Sequence, residues 1–155
     1  MNHILRGATS FFLGLLLLLN FSQPVLAKEI LGIHILTPHD LDRANQLLTV
    51  PSNEDEWKYL TVPLTLNDLD DVTLWQRFFD EAKIYQMIPI VRLATKVENQ
   101  GWVKPNRWQI VRMINFLNLL DWPTSEKYII VFNEVNHAKE WGNEINPEEY
   151  AQILD

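Results

Sequence analysis

The chain has 155 residues, 47% of them apolar and 21% charged, which excludes a disordered or fibrous protein. Its 13 Lys and Arg stand against 20 Asp and Glu, a net charge of −7, so it carries no electrostatic footprint for phosphate backbones and no nucleic-acid partner is expected. There are no cysteines, which rules out disulfides, thiolate metal sites and a cysteine nucleophile.

Residues 1–27 read as a secretory signal peptide. Arg6 supplies a basic start and Phe11 to Leu19 is apolar apart from Gly14. Ser22, Gln23 and Pro24 break the run, and Val25-Leu26-Ala27 suits a signal peptidase. The run is shorter than the roughly 20 residues of a membrane span. The expectation is a secreted or extracytoplasmic chain with no membrane contact after signal cleavage. Without the leader 128 residues remain, with 12 bases against 20 acids, or −8. That suffices for one ordinary core.

Ile30 to Leu36 is the first apolar run and predicts a buried strand. Thr37-Pro38-His39-Asp40 then offers a cap, a proline at the first helical position and an acid three residues after the cap. Leu41, Ala44, Leu47 and Leu48 follow at helical spacing. Pro51 to Glu56 is turn-like, and Trp57 to Thr65 predicts the second strand. Asp68, Asp70 and Asp71 crowd the start of a helix whose stripe is Val72, Trp75, Phe78, Phe79 and Ala82.

Met87 to Ala94 predicts the third strand, although Pro89 argues against a central position. Residues 95–104 read as a loop. Pro105 opens a helix in which Trp108, Val111, Ile114, Leu117 and Leu120 recur every three residues. Lys127 to Phe132 predicts the fourth strand, and Asn133 to Asn143 a loop or short helix. Asn146-Pro147-Glu148-Glu149 starts a last helix, with Tyr150 and Leu154 as its expected buried face. Four strand–helix units with apolar strands predict an α/β fold with a parallel sheet. A doubly wound flavodoxin-like domain fits the length, but it would want a phosphate loop after the first strand, where glycine is scarce. The last helix is capped and then stops after about two turns. The reading preferred is therefore the N-terminal half, residues 29–155, of a truncated (β/α)8 barrel.

Ligands of parallel α/β domains sit beyond the carboxyl ends of the strands. Glu134 lies at such an end, in Phe132-Asn133-Glu134-Val135-Asn136-His137. By alternation it shares a face with Ile130 and Phe132. A carboxylate at an apolar mouth is desolvated, which raises its pKa towards that of a general acid. Asn133 offers a donor and an acceptor to a substrate hydroxyl. His34 and Arg92 end the first and third strands, and Arg92 can clamp a carboxylate. Trp102 and Trp141, in the loops after strands three and four, can stack on sugar rings. Each has a plainer reading: Glu134 and Arg92 as structural ion pairs, His34 as a bonded rim histidine, the tryptophans as hydrophobic caps. Glu134, His137 and Glu140 lack the spacing of a metal motif, and neither metal nor other cofactor is expected.

Asn133-Glu134 after an apolar fourth strand resembles the signature of the clan A (β/α)8 glycoside hydrolases, the cellulase-like retaining enzymes. The resemblance covers residues 29–155 as the first four of eight units and is specific only at those two residues. It implies hydrolysis of O-glycosidic bonds in poly- or oligosaccharides. Glu134 would be the general acid/base, Asn133 the contact to the sugar 2-hydroxyl, and a carbohydrate the partner. Val135 stands where many members have proline. The second carboxylate of that clan ends a seventh strand, which these residues do not include, and the retaining mechanism needs two carboxyl groups about 5–5.5 Å apart. The chain alone is thus expected to be inactive or nearly so. The alternative is a non-catalytic saccharide-binding or cell-surface protein on the same scaffold. Open sheet edges could also support self-association.

Overall fold

The computed structural model describes residues 31–49, 57–98 and 100–155. The expected leader and the turn at Pro51 to Glu56 lie outside them. Among the described residues no helix is long and apolar enough to cross a membrane.

The expected strands form as β1 (Gly32–His34), β2 (Lys58–Leu64), β3 (Met87–Leu93) and β6 (Tyr128–Ile130). They make one parallel sheet in the order β1-β2-β3-β6, so the α/β class and parallel sheet are as the apolar runs require. Residues 95–104, expected to be a loop after the third strand, hold a short antiparallel hairpin, β4 (Val97–Glu98) with β5 (Gly101–Trp102).

Two prolines sit inside the sheet, and register explains both. β3 is central, between β2 and β6, against the expectation from Pro89. The Ala94 amide donates to the Leu64 carbonyl of β2, so by alternation the amide position of residue 89 faces β6. The β6 ladder begins only at Ile90, so no bond is lost at Pro89. Pro63 faces β1 in the same way, because Tyr59 donates to Leu31, and the β1 ladder stops at the His34–Thr61 pair.

The helices are α1 (Leu41–Thr49), α2 (Val72–Ile84), α3 (Arg107–Asn118) and α4 (Pro147–Leu154). Local chemistry starts each one. The Asp40 carboxylate accepts from the Thr37 amide and hydroxyl, both at 3.1 Å, in a one-turn 3-10 helix leading into α1. Asp68 does the same for Thr65, and Asp71 caps α2 by accepting from the Leu74 amide at 2.9 Å. Asn106, and not Pro105 beside it, starts α3 through a reciprocal pair with Gln109. Asn146 caps α4 by accepting from the Glu149 amide at 3.0 Å.

All of this packs on one side of the sheet. Leu60, Val62 and Leu64 of β2 and Met87, Val91 and Leu93 of β3 are buried in a single core with Leu41, Ala44 and Leu48 of α1, Trp75, Phe78, Phe79 and Ala82 of α2, and Met113, Phe116 and Leu117 of α3. Right-handed crossovers that step in one direction across a sheet place every helix on the same face. The alternate strand positions, including His34, Thr61, Ile90, Arg92 and Ile130, form the other face, where side chains are half-buried or exposed. The described strands show no reversal of order, which a doubly wound sheet requires.

Several expected stripe positions are corrected. Trp108 is 78% exposed and Val111 is exposed too. A strict spacing of three falls 60° behind an α-helix at each step, so the series starts off the buried face and meets it only from Ile114 through Leu117 and Leu120, where Ile110, Met113 and Phe116 share it. Leu47, Val72 and Leu154 also face solvent, and Ile153 with Tyr150 makes the inner side of α4.

Candidate functional site

A narrow cleft opens at the carboxyl rim of the sheet. It is lined by Arg92, Leu93, Ala94, Thr95, Trp102, Phe132, Asn133 and Glu140. Three of the expected residues meet here from three elements. Arg92 comes from the open face of β3, in register with Pro63 and Ile130. Trp102 comes from the hairpin and Asn133 from the turn after β6. The hairpin is held at both ends: the Thr95 hydroxyl donates to the Val103 carbonyl, and the Gly142 amide donates to the Trp102 carbonyl at 2.8 Å. Gly101 is required, because a Cβ there would stand 2.8 Å from the Asn143 side chain and 2.9 Å from the Lys139 carbonyl.

The turn after β6 departs from strand geometry at once. Phe132 has φ +65° and Glu134 φ +21°, conformations that side chains rarely adopt and that cluster at functional sites. The expected alternation from Ile130 through Phe132 to Glu134 therefore does not hold. Phe132 turns into the core against Trp141, and Glu134 is exposed and does not line the cleft. The burial expected of its carboxylate is absent among the described residues. Its carbonyl closes the turn by accepting from the His137 amide at 2.6 Å.

Trp141 is corrected outright as a platform. It is fully buried, packed edge-on against Phe132 at 5.7 Å and Tyr150 at 5.6 Å between ring centres. Its indole N–H donates to Glu149 at 3.1 Å, and Lys104 bridges Glu144 and Glu149 at 2.7 and 2.8 Å. An indole with no free face cannot stack on a sugar. Its place is to lock the segment after β6 onto α4, where the Tyr150 hydroxyl also donates to the Val131 carbonyl at 2.9 Å. Trp102 lines the cleft and is half-buried.

His34 lies on the same open face, two strands from Arg92. Partial desolvation of its imidazole, then the positive charge of Arg92, hold its pKa below the usual 6.5. The Arg92 Nε is shut off from solvent and has no hydrogen-bond partner. Sequence reasoning did not place Glu140 and Thr95 at the cleft. Nothing local marks them, because they arrive through the 3-10 turn Ala138–Glu140 and the hairpin. Among the described residues no group of three His, Cys, Asp or Glu side chains is placed to hold a metal ion.

No family model, no curated protein and no solved structure matches this chain.

Proposed function

We propose that the chain is the N-terminal part of a (β/α)8 barrel that acts on O-glycosidic bonds of an extracytoplasmic saccharide. The observation that carries the reading is the one-sided sheet. Its four parallel strands run in chain order with every described helix on one face, and the other face mixes apolar residues with Tyr59, Tyr128 and Thr61, and carries His34 and Arg92 towards the carboxyl ends of β1 and β3. A barrel interior has this character, and barrel ligands bind at that rim. The strained turn at Phe132–Glu134 adds a second reason to look there. In this reading Glu134 gives the proton to the leaving oxygen, Asn133 holds the sugar 2-hydroxyl, Trp102 stacks on a ring, and Arg92 and His34 complete the rim. Export through the 1–27 leader is part of the proposal, as is association of chains through the outer edges of β1 and β6, which no described strand pairs.

The test is a titration of the isotope-labelled chain with neutral oligosaccharides, followed by NMR. Shifts should gather at Arg92, Trp102 and Asn133 and vanish in Asn133→Ala. Shifts that fall elsewhere, or none at millimolar sugar, reject the reading. A non-catalytic saccharide-binding protein is the second reading, and the position of Glu134 outside the cleft favours it. Turnover that drops by orders of magnitude in Glu134→Gln, with binding kept, selects the enzyme; retained turnover removes Glu134 from the acid role.

A further inference from the structure

The two ends of the sheet are unfinished in complementary ways. At one end, β1 pairs only with β2 among the described strands. The Tyr59 amide donates to the Leu31 carbonyl and the Ile35 amide to the Thr61 carbonyl, so by alternation the amides and carbonyls of Gly32 and His34 point to the outer edge. A groove of about 210 Å³ lies between β1 and α1, walled by Ile33, Ile35, Leu36, Ala44 and Leu47. Leu36 is 77% and Leu47 59% exposed, although the spacing along α1 marks Leu47 for burial. Arg43 also lines the groove. It has no ion pair among the described residues, whereas Asp40 is engaged by Thr37 and Asp42 by Tyr85. At the other end, β6 pairs only with β3, and α4 is tied to it through the Tyr150 bond to Val131. Ile145 and Leu154 are exposed there, and Glu148 and Asp155 are the exposed charges of α4.

In a sheet that steps in one direction, each strand brings the helix that follows it onto the same face. A strand added to the edge of β1 therefore lays its own helix beside α1, over the groove. β6 followed by α4 is such a pair. We infer that the β1–α1 end docks the β6–α4 end of a second copy of this chain. β6 pairs parallel with the outer edge of β1, and α4 fills the groove. The two helices then point the same way. Arg43 and Glu148 meet in their first turns as opposite charges, and Leu47 meets Leu154 in their last turns. The contact is head-to-tail, and four strands from each copy make the eight of a closed barrel, so the ring closes at two copies. Such a ring makes the same seam twice. Each seam thus needs only about half of the roughly 1,200–2,000 Å² of a stable interface. The open sheet face becomes the packed interior, and the rim begun by Arg92 and Asn133 is completed by the same residues of the second copy. This names the partner for the barrel reading and rests on it.

The chain has no cysteine, so engineered thiols can read the seam directly. Full-length chains carrying Leu47→Cys alone are mixed, under oxidising conditions, with chains carrying Leu154→Cys alone. Mixed disulfide dimers should exceed like-with-like dimers by about tenfold or more, and each variant by itself should stay largely uncross-linked. The double variant should run as a dimer closed by two disulfides. In sedimentation, Arg43→Glu and Glu148→Arg should each weaken dimerisation by about tenfold, and the two together should restore most of it. All four positions are at the surface, so the core is untouched. A monomer at every concentration overturns the inference, as do like-with-like cross-links that equal the mixed ones. A ladder of higher species from the double variant overturns closure at two copies. A monomer whose Leu47→Cys thiol resists alkylation shows that another part of the same chain fills the groove, and overturns the inference too. None of these outcomes bears on the sugar titration, which decides the saccharide reading by itself.

Discussion

The two faces of the central sheet share a backbone and differ in almost everything else. On the helix side, β2 and β3 bury every second residue, and aromatic rings of α2 lie across them, with Phe78 5.6 Å from Trp75 between centres. On the open side the same strands present Thr61, Ile90 and Arg92 half-covered. One face therefore carries the stability of the protein, and the other is the face of the proposed site. The largest expected effect follows from that division. Phe78→Ala should cost about 3–5 kcal/mol by cavity formation, whereas Ile90→Ala, with less contact to lose, should cost about 1 kcal/mol or less. Urea melts of the two variants measure both. A cost at Ile90 equal to that at Phe78 would mean that the open face is covered in solution, and sedimentation at several concentrations would then ask whether a second copy covers it.

Next in size is the tie between α4 and the end of β6. Tyr150→Phe removes one hydrogen bond, to the Val131 carbonyl, and keeps the ring packing on Trp141. The expected loss is about 0.5–1.5 kcal/mol in the same melts. No change would show that this helix does not fix the strained turn, and the cleft would then be wider in solution than its Phe132 and Asn133 walls suggest.

How much of this was legible in the residues depends on range. Caps were readable because they are made within four residues: Thr37 with Asp40, and Asn146 with Glu149. The parallel strands were readable because apolar residues occupy both faces of the strands, as from Met87 to Val91, and not only the side buried under the helices. Trp141 was not, since only the approach of Phe132 and Tyr150 makes a loop indole part of the core. Nor was the course of the chain at Phe132, because period-two reasoning assumes extended backbone and a left-handed residue ends it. The site was legible in outline, with Arg92, Trp102 and Asn133 brought together, and misjudged where a tertiary contact decided exposure.

The charged clasp beside the cleft gives a smaller effect with a definite sign. Glu149 has its pKa held below the usual carboxylate value, first by the hydrogen bond from Lys104 and then by that from the Trp141 indole. A carboxylate whose pKa is lowered in the fold stabilises above its unfolded value, and that contribution is lost as pH falls through the lowered one. Lys104 is 28% and Glu149 40% exposed in their side chains, so solvent screens the pair and the loss should stay below about 1 kcal/mol. Lys104→Met should flatten the acid limb of the stability curve and move the Glu149 carboxyl resonance to titrate at higher pH. An unchanged titration would show that the clasp is open in water.

The smallest effect probes the open face most directly. His34 keeps its neutral form to lower pH than usual, because of partial desolvation first and Arg92 second. An unfolded chain binds that proton nearer pH 6.5. As pH falls from there to the lowered value, the unfolded state holds more protons and stability declines with it. Arg92→Gln removes the second cause and leaves the first, so the imidazole should titrate higher, yet still short of the usual value. If the imidazole titration ignores that change, the Arg92 charge is not felt across the face that His34 shares, and this side of the sheet does not differ electrostatically from its buried side in the way the geometry implies.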